Sequence, residues 1–461
     1  MLRLPHIAAQ LFLCSLLSVA WACRASGQEE VIEMDAHPAS VDLKTRPLRL
    51  LPTERELSDG NAVPVMLRMT YEQTAWMEKI YPSTWELADL EHTDPKIQDY
   101  PFDSFANQLK KASKLRDADW EYDLDSDRPW EILLPDVQSM RNFAGRGMKI
   151  WINQRIGKGD LRAARDGVKT QLASARHIGR TPILVCHLVC ARISQIALER
   201  LEVIVSQPDS PNLFWSLGLL PDSLVDVKEG LQWESGTLRQ SLPSLQRSEL
   251  KIGDAGWKDV ADEFIELMGS VVNERFEADE IEVMKTKVTK FAHLELLKSK
   301  RFSEQELASM SGEEKVMRWT LSTHELRSDR MEIAYQLPAP KALAMLAELE
   351  KEIDALEEES GAPGTPFLGN GIGIYLAVNR FDRQVKLLQN YEGIRHYIAM
   401  HDGQLPATLD DVPLPLPNDP MTLTPFQYSV EGDSATLQYN EIKQKPDHPI
   451  RAYRIQPVKA P

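Results

Sequence analysis

Beyond residue 63, apolar side chains recur every three or four positions, and short Pro, Gly and Ser breaks divide the pattern into segments. That period lines one face of an amphipathic helix, so the chain predicts a succession of helices. They are expected over 109–120, 130–156, 161–175, 183–205, 224–239, 257–272, 280–298, 315–335 and 341–359. The second carries Ile132, Val137, Met140, Phe143 and Ile150 among its apolar positions. In the third, Leu161, Ala164, Val168, Leu172 and Ala175 share a face. The segment 183–191 is apolar nearly all round, as a central buried helix requires.

Punctuation fixes several ends. Gly157 and Gly159 stop one helix, and Asp160 can cap the next. Ser303 with Glu306 forms the capping-box pattern of a further short helix. Gly361-Ala362-Pro363-Gly364 is the clearest boundary in the second half. After it a helix through 391–399 ends at His401-Asp402-Gly403-Gln404-Leu405-Pro406. Residues 426–430 and 435–439 then alternate around Gly432-Asp433, the pattern of a β-hairpin.

The expected fold is mainly α: a multi-helix bundle or solenoid-like body over 64–360, then a small C-terminal α+β module over 365–445 that contains the hairpin. A polar leader (23–63) precedes the body, and everything after Lys443, with 446–461 as its own segment, reads as a tail. Residues 159–164 resemble the opening of a tetratricopeptide-like pair, but no second unit follows at the required spacing of about 34 residues.

Composition and charge then narrow the setting. The formal charge of −16 over 461 residues disfavours nucleic acid or an anionic membrane surface as partner, since either needs a basic face. Residues 1–22 read as a secretory signal: Arg3, an apolar run over 7–20, and Ala20-Trp21-Ala22 as the cleavage signal. A second cut could follow Gly27, and an uncleaved anchor is the alternative. Cys23 after the first cut invites a lipid anchor, against which Trp21 counts because lipidation sites want small residues there. No later segment is apolar enough to span a bilayer. The expected compartment is extracytoplasmic, periplasmic or secreted.

Candidate chemistry is thin. Cys186-His187-x-x-Cys190 offers two thiols on one helical face, but the imidazole is turned away and no fourth ligand is evident, so core filling is expected. Helical spacing also does not aim the two thiols at each other for a disulfide. Asp123, Asp125 and Asp127 alternate like the start of a calcium loop, yet Arg128 and Leu134 stand where the glycine and the bidentate glutamate belong. His324-Glu325, His396 and His401-Asp402 are the remaining acid–base groups. His324 sits in a charged helix and reads as part of a solvated face. His401 and Gly403 read as a helix end, with Gly403 supplying a positive φ. The sequences Gly-x-Ser-x-Gly, His-Glu-x-x-His, Cys-x-x-Cys-His and the phosphate-binding Gly-Lys-Ser/Thr loop do not occur. No catalytic residue, cofactor site or metal ligand is assigned, and no cofactor is expected.

Arg395, Tyr397, Ala399, His401, Gly403, Leu405-Pro406, Leu409-Asp410-Asp411, Asp419-Pro420, Phe426 and Tyr428 form an ordered pattern within 380–437. It resembles the C-terminal segment of uncharacterised exported proteins of planctomycete-type bacteria, and is more distantly similar to the soluble part of type II secretion pseudopilins. Asp119-Trp120, Leu134-Pro135, Gln138, Arg141 and the helix from Ile183 resemble the helical body of the same exported proteins. Those relatives carry Thr-Gly-Lys-Pro where this chain has Thr422-Leu423-Thr424-Pro425, which removes the glycine of a tight turn. A pseudopilin's processed N-terminal apolar helix is also replaced by an ordinary signal. The resemblance implies export and names no activity. The expected function is a non-enzymatic cell-envelope interaction or scaffold protein with an unknown protein partner. The alternative is an extracytoplasmic hydrolase or ligand-binding protein with its site between the helical body and the C-terminal module.

Overall fold

The computed structural model describes residues 30–41, 48–80, 84–98, 101–126, 129, 132, 134–222, 224–247, 249–272, 278–360 and 371–458. The signal segment, Cys23, Asp127, Arg128 and the 361–364 boundary lie outside these residues. The elements follow in order: β1 (Glu30–Ala36), β2 (Ser58–Asn61), α1 (Val63–Ile80), a 3-10 turn (Thr84–Asp89), α2 (Pro95–Gln98), α3 (Asp103–Ala112) and β3 (Leu115–Asp117). Next come α4 (Pro135–Met140), a π-helical stretch (Arg141–Gly147), α5 (Met148–Gly157), α6 (Leu161–Ile178), α7 (Leu184–Val205), α8 (Phe214–Gly218), α9 (Lys228–Gln240) and α10 (Pro243–Arg247). The rest are α11 (Trp257–Val272), α12 (Ala278–Lys298), α13 (Glu304–Ser309), α14 (Gly312–Tyr335), α15 (Ala339–Ser360), α16 (Gly371–Met400), β4 (Gln427–Glu431), β5 (Ser434–Gln438) and β6 (Arg451–Pro457). The molecule is mainly α with a small C-terminal α+β part, the class its periodicity predicts.

Local chemistry explains the best-predicted ends. Gly159 takes φ +72°, and the Asp160 side chain accepts from the Ala163 N–H to start α6. Ser303 and Glu306 close a reciprocal capping box on α13. Gly432, at φ +61°, takes the first position of the hairpin turn, where favoured two-residue turns need a positive φ.

Three helices differ from expectation. The one expected over 109–120 is α3, which stops at Ala112; residues 115–117 instead pair in parallel with β2. The helix expected from Trp130 starts at Pro135, where a missing N–H costs nothing because first-turn donors lack helical partners. It then runs through the π-helical stretch before α5. The extra residue widens that turn, and the Gln171 side-chain amide donates to the Ala144 and Gly145 carbonyls. The helix expected from Leu224 starts at Lys228.

The leader and the tail need correction. Residues 30–36 and 451–457 are strands, and they pair with each other in parallel from Glu30↔Arg451 to Ala36↔Pro457. The sheet order is β1-β6-β5-β4, so β6 is an inner strand between β1 and β5. Met34 and Ala36 from β1, and Ala452, Tyr453 and Ile455 from β6, are buried. Segments read as polar edges of the chain therefore build the sheet core, because each contributes only a few apolar side chains that become useful once paired.

One core joins β1, α5, α6, α7, α16 and the sheet through Met34, Ile152, Leu172, Leu201, Leu388, Leu437 and Tyr453. A second joins α1, α3, the π-helical stretch, the front of α7, α15 and the start of α16. Packing thus runs across the boundary expected near 360–365. α7 lies in both cores, as its all-round apolar character demands. A smaller core holds α9, α11 and α14 together, and a fourth lies around Leu296, Leu307 and Met310.

Candidate functional site

The sequence-nominated groups fall into structural roles. Cys186 and Cys190 are free thiols inside the core, each pushed up to about 12 by burial. His187 is buried beside α9, and burial lowers its pKa to about 4. It leaves no room for a side chain at Gly230, where a Cβ would lie 2.6 Å from the ring. His324 is not on a solvated face: it is 2% exposed, with Nε2 3.1 Å from the Ser235 carbonyl. The helix that carries it turns its charges both ways, since Glu314 is buried too and accepts from Gly253 N–H and Arg318. Asp123 and Asp125 are exposed. The Gln240 amide donates to the carbonyls of Leu124 and Ser126, which ties down that loop's backbone. Among the described residues, no three His, Cys, Asp or Glu side chains gather to hold a metal.

At the end of α16 the positive φ is shared: Asp402 takes +51° and Gly403 +85°, and the Gly403 N–H returns to the Ile398 carbonyl. This is the closing bond of a Schellman-type stop. His401 stacks on Tyr397 at 3.8 Å with its Nδ1 2.9 Å from the Tyr397 carbonyl, and His396 Nδ1 accepts from the Val41 N–H.

The C-terminal pattern forms a set of clamps. Arg395 is fully buried; it donates to both Glu392 oxygens and to the carbonyls of His37 and Ser210. Asp419 is equally buried, receives a two-pronged bond from Arg383, and accepts from the N–H groups of Met421 and Asn440. Leu423 takes φ +61°, and its N–H donates to the Asp419 carbonyl at 2.7 Å. The turn keeps its left-handed backbone without the residue that adopts it most readily.

Sequence reading missed the polar centre of the junction. Glu202 of α7 is 3% exposed and receives Arg451 (2.5 Å and 3.2 Å), the Tyr453 hydroxyl and the Gln384 amide (2.7 Å). Helical body, α16 and β6 meet there. Burial disfavours the Arg451 cation, but Glu202 and the Tyr453, Tyr439 and Glu30 oxygens outweigh it and raise its pKa. Both oxygens of the Glu202 carboxylate are thus answered by donors. The available signal was a stripe: Arg192, Gln195, Glu199 and Glu202 recur every three or four residues along a mostly apolar helix.

A cavity of about 260 Å³ opens between α3, α5 and α6, lined by Asp103, Lys110, Trp151, Arg155, Asp166 and Thr170 among others. Its charges are mutually engaged. Asp103 receives Trp151 Nε1 at 2.8 Å and Arg155, and Lys110 pairs with Asp166 at 3.2 Å. The Trp151 and Arg155 hydrogen bonds, Trp151 first, lower the Asp103 pKa against the opposing effect of burial. Comparison with protein-family models, curated proteins and solved structures finds no match to this chain, so the chemistry of these sites is read from its own residues.

Proposed function

We propose that this chain is an extracytoplasmic, non-enzymatic protein of the cell envelope that presents helical surface to a protein partner. The observation that carries the reading is on α14. Leu326 and Ile333 are 55% and 50% exposed, and they lie seven residues apart, two turns along one face. Leu294 of the neighbouring α12 is exposed as well. Apolar side chains kept on the outside of a helix that packs its other face are a common feature of contact surfaces.

The frame suits that role. β1–β6 pairing and the buried Arg395, Arg383 and Arg451 clamps tie both ends of the described chain to the helical body, which favours a stiff platform over a hinged one. The export part rests on the signal pattern of residues 1–22 and on the resemblance to exported proteins. No described helix is long and apolar enough to cross a membrane.

Mild crosslinking of the tagged protein in an envelope fraction tests the reading, with Leu326→Glu/Ile333→Glu run in parallel. A discrete partner should be captured by the unaltered protein and lost from the double variant. Capture of no stable partner, or equal capture by both, overturns it.

A further inference from the structure

Three helices meet around the cavity of about 260 Å³. Asp103, Asn107 and Lys110 stand at intervals of four and three along α3, which places them on one face. Trp151 and Arg155, four apart, come from α5, and Asp166 and Gly167 from α6. The indole is held by three contacts. Its Nε1 donates to Asp103 Oδ1 at 2.8 Å, and the Arg155 guanidinium lies 4.8 Å from its ring centroid. Gly167 is so near that a Cβ there would come within 2.8 Å of the ring and 2.7 Å of Ile152. The approach of α5 to α6 at this point therefore depends on glycine, and Trp151 is fixed before any guest arrives.

What the lining leaves unmet is mixed in kind. Both bonds to Asp103 fall on Oδ1, and Lys110 takes only Oδ2 of Asp166, so one oxygen of each carboxylate is left over as an acceptor. The exposed Asn107 side-chain amide takes no partner among the described residues and offers both donors and an acceptor. Lys110 keeps N–H donors to spare. The charges, by contrast, balance: Asp103 pairs with Arg155 and Asp166 with Lys110. An anionic guest would meet the carboxylates, and a cationic one the ammonium and guanidinium groups. A wholly apolar guest would strand the free oxygens. A hydroxyl group both donates and accepts, and it adds to these positions without breaking either ion pair.

We propose that the cavity binds a neutral polyhydroxylated ring, a monosaccharide unit. Asp103 Oδ2 and Asp166 Oδ1 accept from its hydroxyls, Asn107 and Lys110 donate to them, and Trp151 meets its C–H surface. The size agrees, since 260 Å³ lies just below the ~300 Å³ at which pockets for drug-sized molecules begin. Exposed Asp103, Asn107 and Asp166 keep the cavity open to solvent, which leaves a path for a longer glycan to continue outward. The inference stands apart from the partner surface on α14 and does not depend on it.

Saturation-transfer NMR on the full chain is the test. Glucose, galactose, mannose and N-acetylglucosamine serve as neutral probes, and glucuronate and glucosamine as charged ones. At least one neutral sugar should bind saturably, and about fivefold or more tighter than either charged sugar. Asn107→Ala removes an exposed amide without a partner among the described residues, so the variant should fold as the parent does. It should weaken the bound sugar about fivefold, the loss of one hydrogen bond, and Lys258→Gln on the exposed start of α11 should not. A β-linked disaccharide of the bound sugar binding tighter than the single ring assigns the site to the end of a glycan; equal or weaker binding assigns it to the free sugar. Carbodiimide labelling of the unaltered chain followed by mass spectrometry gives a second readout, since the sugar should slow modification of Asp166 and not of exposed Asp259. No saturable binding of a neutral sugar, equal or tighter binding of a charged one, unchanged affinity in folded Asn107→Ala, or no protection of Asp166 overturns the proposal.

Discussion

Leu423 shows how much a single position can depart from its sequence context while the fold holds. Its φ of +61° is a conformation in which an L side chain costs about 1–2 kcal/mol. The side chain is largely exposed, so little packing repays that strain. The Asp419 carbonyl and the Thr424 carbonyl, bonded to the Leu423 and Asp419 N–H groups, hold the turn in shape instead. Replacing Leu423 with Gly should raise stability by up to about 1 kcal/mol, the gain reduced by glycine's greater freedom when unfolded. Chemical denaturation measures it, and a variant less stable than the parent would contradict the account.

At the scale of elements, α7 determines most of the molecule. Its apolar faces fill two cores, its polar stripe ends in the Glu202 junction, and its first turn buries His187 against α9. That burial has a pH consequence. His187 is neutral in the fold, with its pKa lowered to about 4 by burial, with Asp226 opposing, whereas the unfolded chain protonates it below about 6.5. Between those values the unfolded state binds more protons, so stability present above about 6.5 is lost as pH falls toward 4. The loss attributable to His187 between pH 7 and 5 is on the order of 2 kcal/mol. Glu234, pushed up to about 7 by burial, pulls the other way and cancels when variants are compared. His187→Gln should therefore lose less stability than the parent over that interval; equal slopes of unfolding free energy against pH would refute the assignment.

For the whole molecule, the decisive feature is that β1 and β6, separated by most of the chain, are neighbours in one sheet. Glu202, Gln384 and Tyr391 of the helical framework bond to these two strands, through Arg451 and Tyr453, through Glu202, and through the Asp35 carbonyl respectively. A chain ending at Lys445 lacks β6, exposes the β5 edge and leaves Glu202 as an uncompensated buried charge, a loss worth about 3–5 kcal/mol by itself. Such a chain should lose its cooperative melting transition. A transition retained at the parent temperature would show that β6 is the tail its sequence suggests.

Most helices, their caps and the hairpin were legible in the amino-acid order, because each depends on residues within a few positions: Asp160 on Ala163, Ser303 on Glu306, Gly432 on its own φ. That order also determined that Cys186, His187 and Cys190 would be core, since an all-round apolar helix has no outer face. Tertiary structure alone decided what depended on distant partners. His324 reads as solvated until α9 covers it with the Ser235 carbonyl, and 30–36 and 451–457 read as leader and tail until they pair. Glu202 is one acid among many until Arg451 arrives from the far end of the chain. Local backbone preferences are written in neighbouring residues; the value of a buried charge or a short strand is set only by what the fold places beside it.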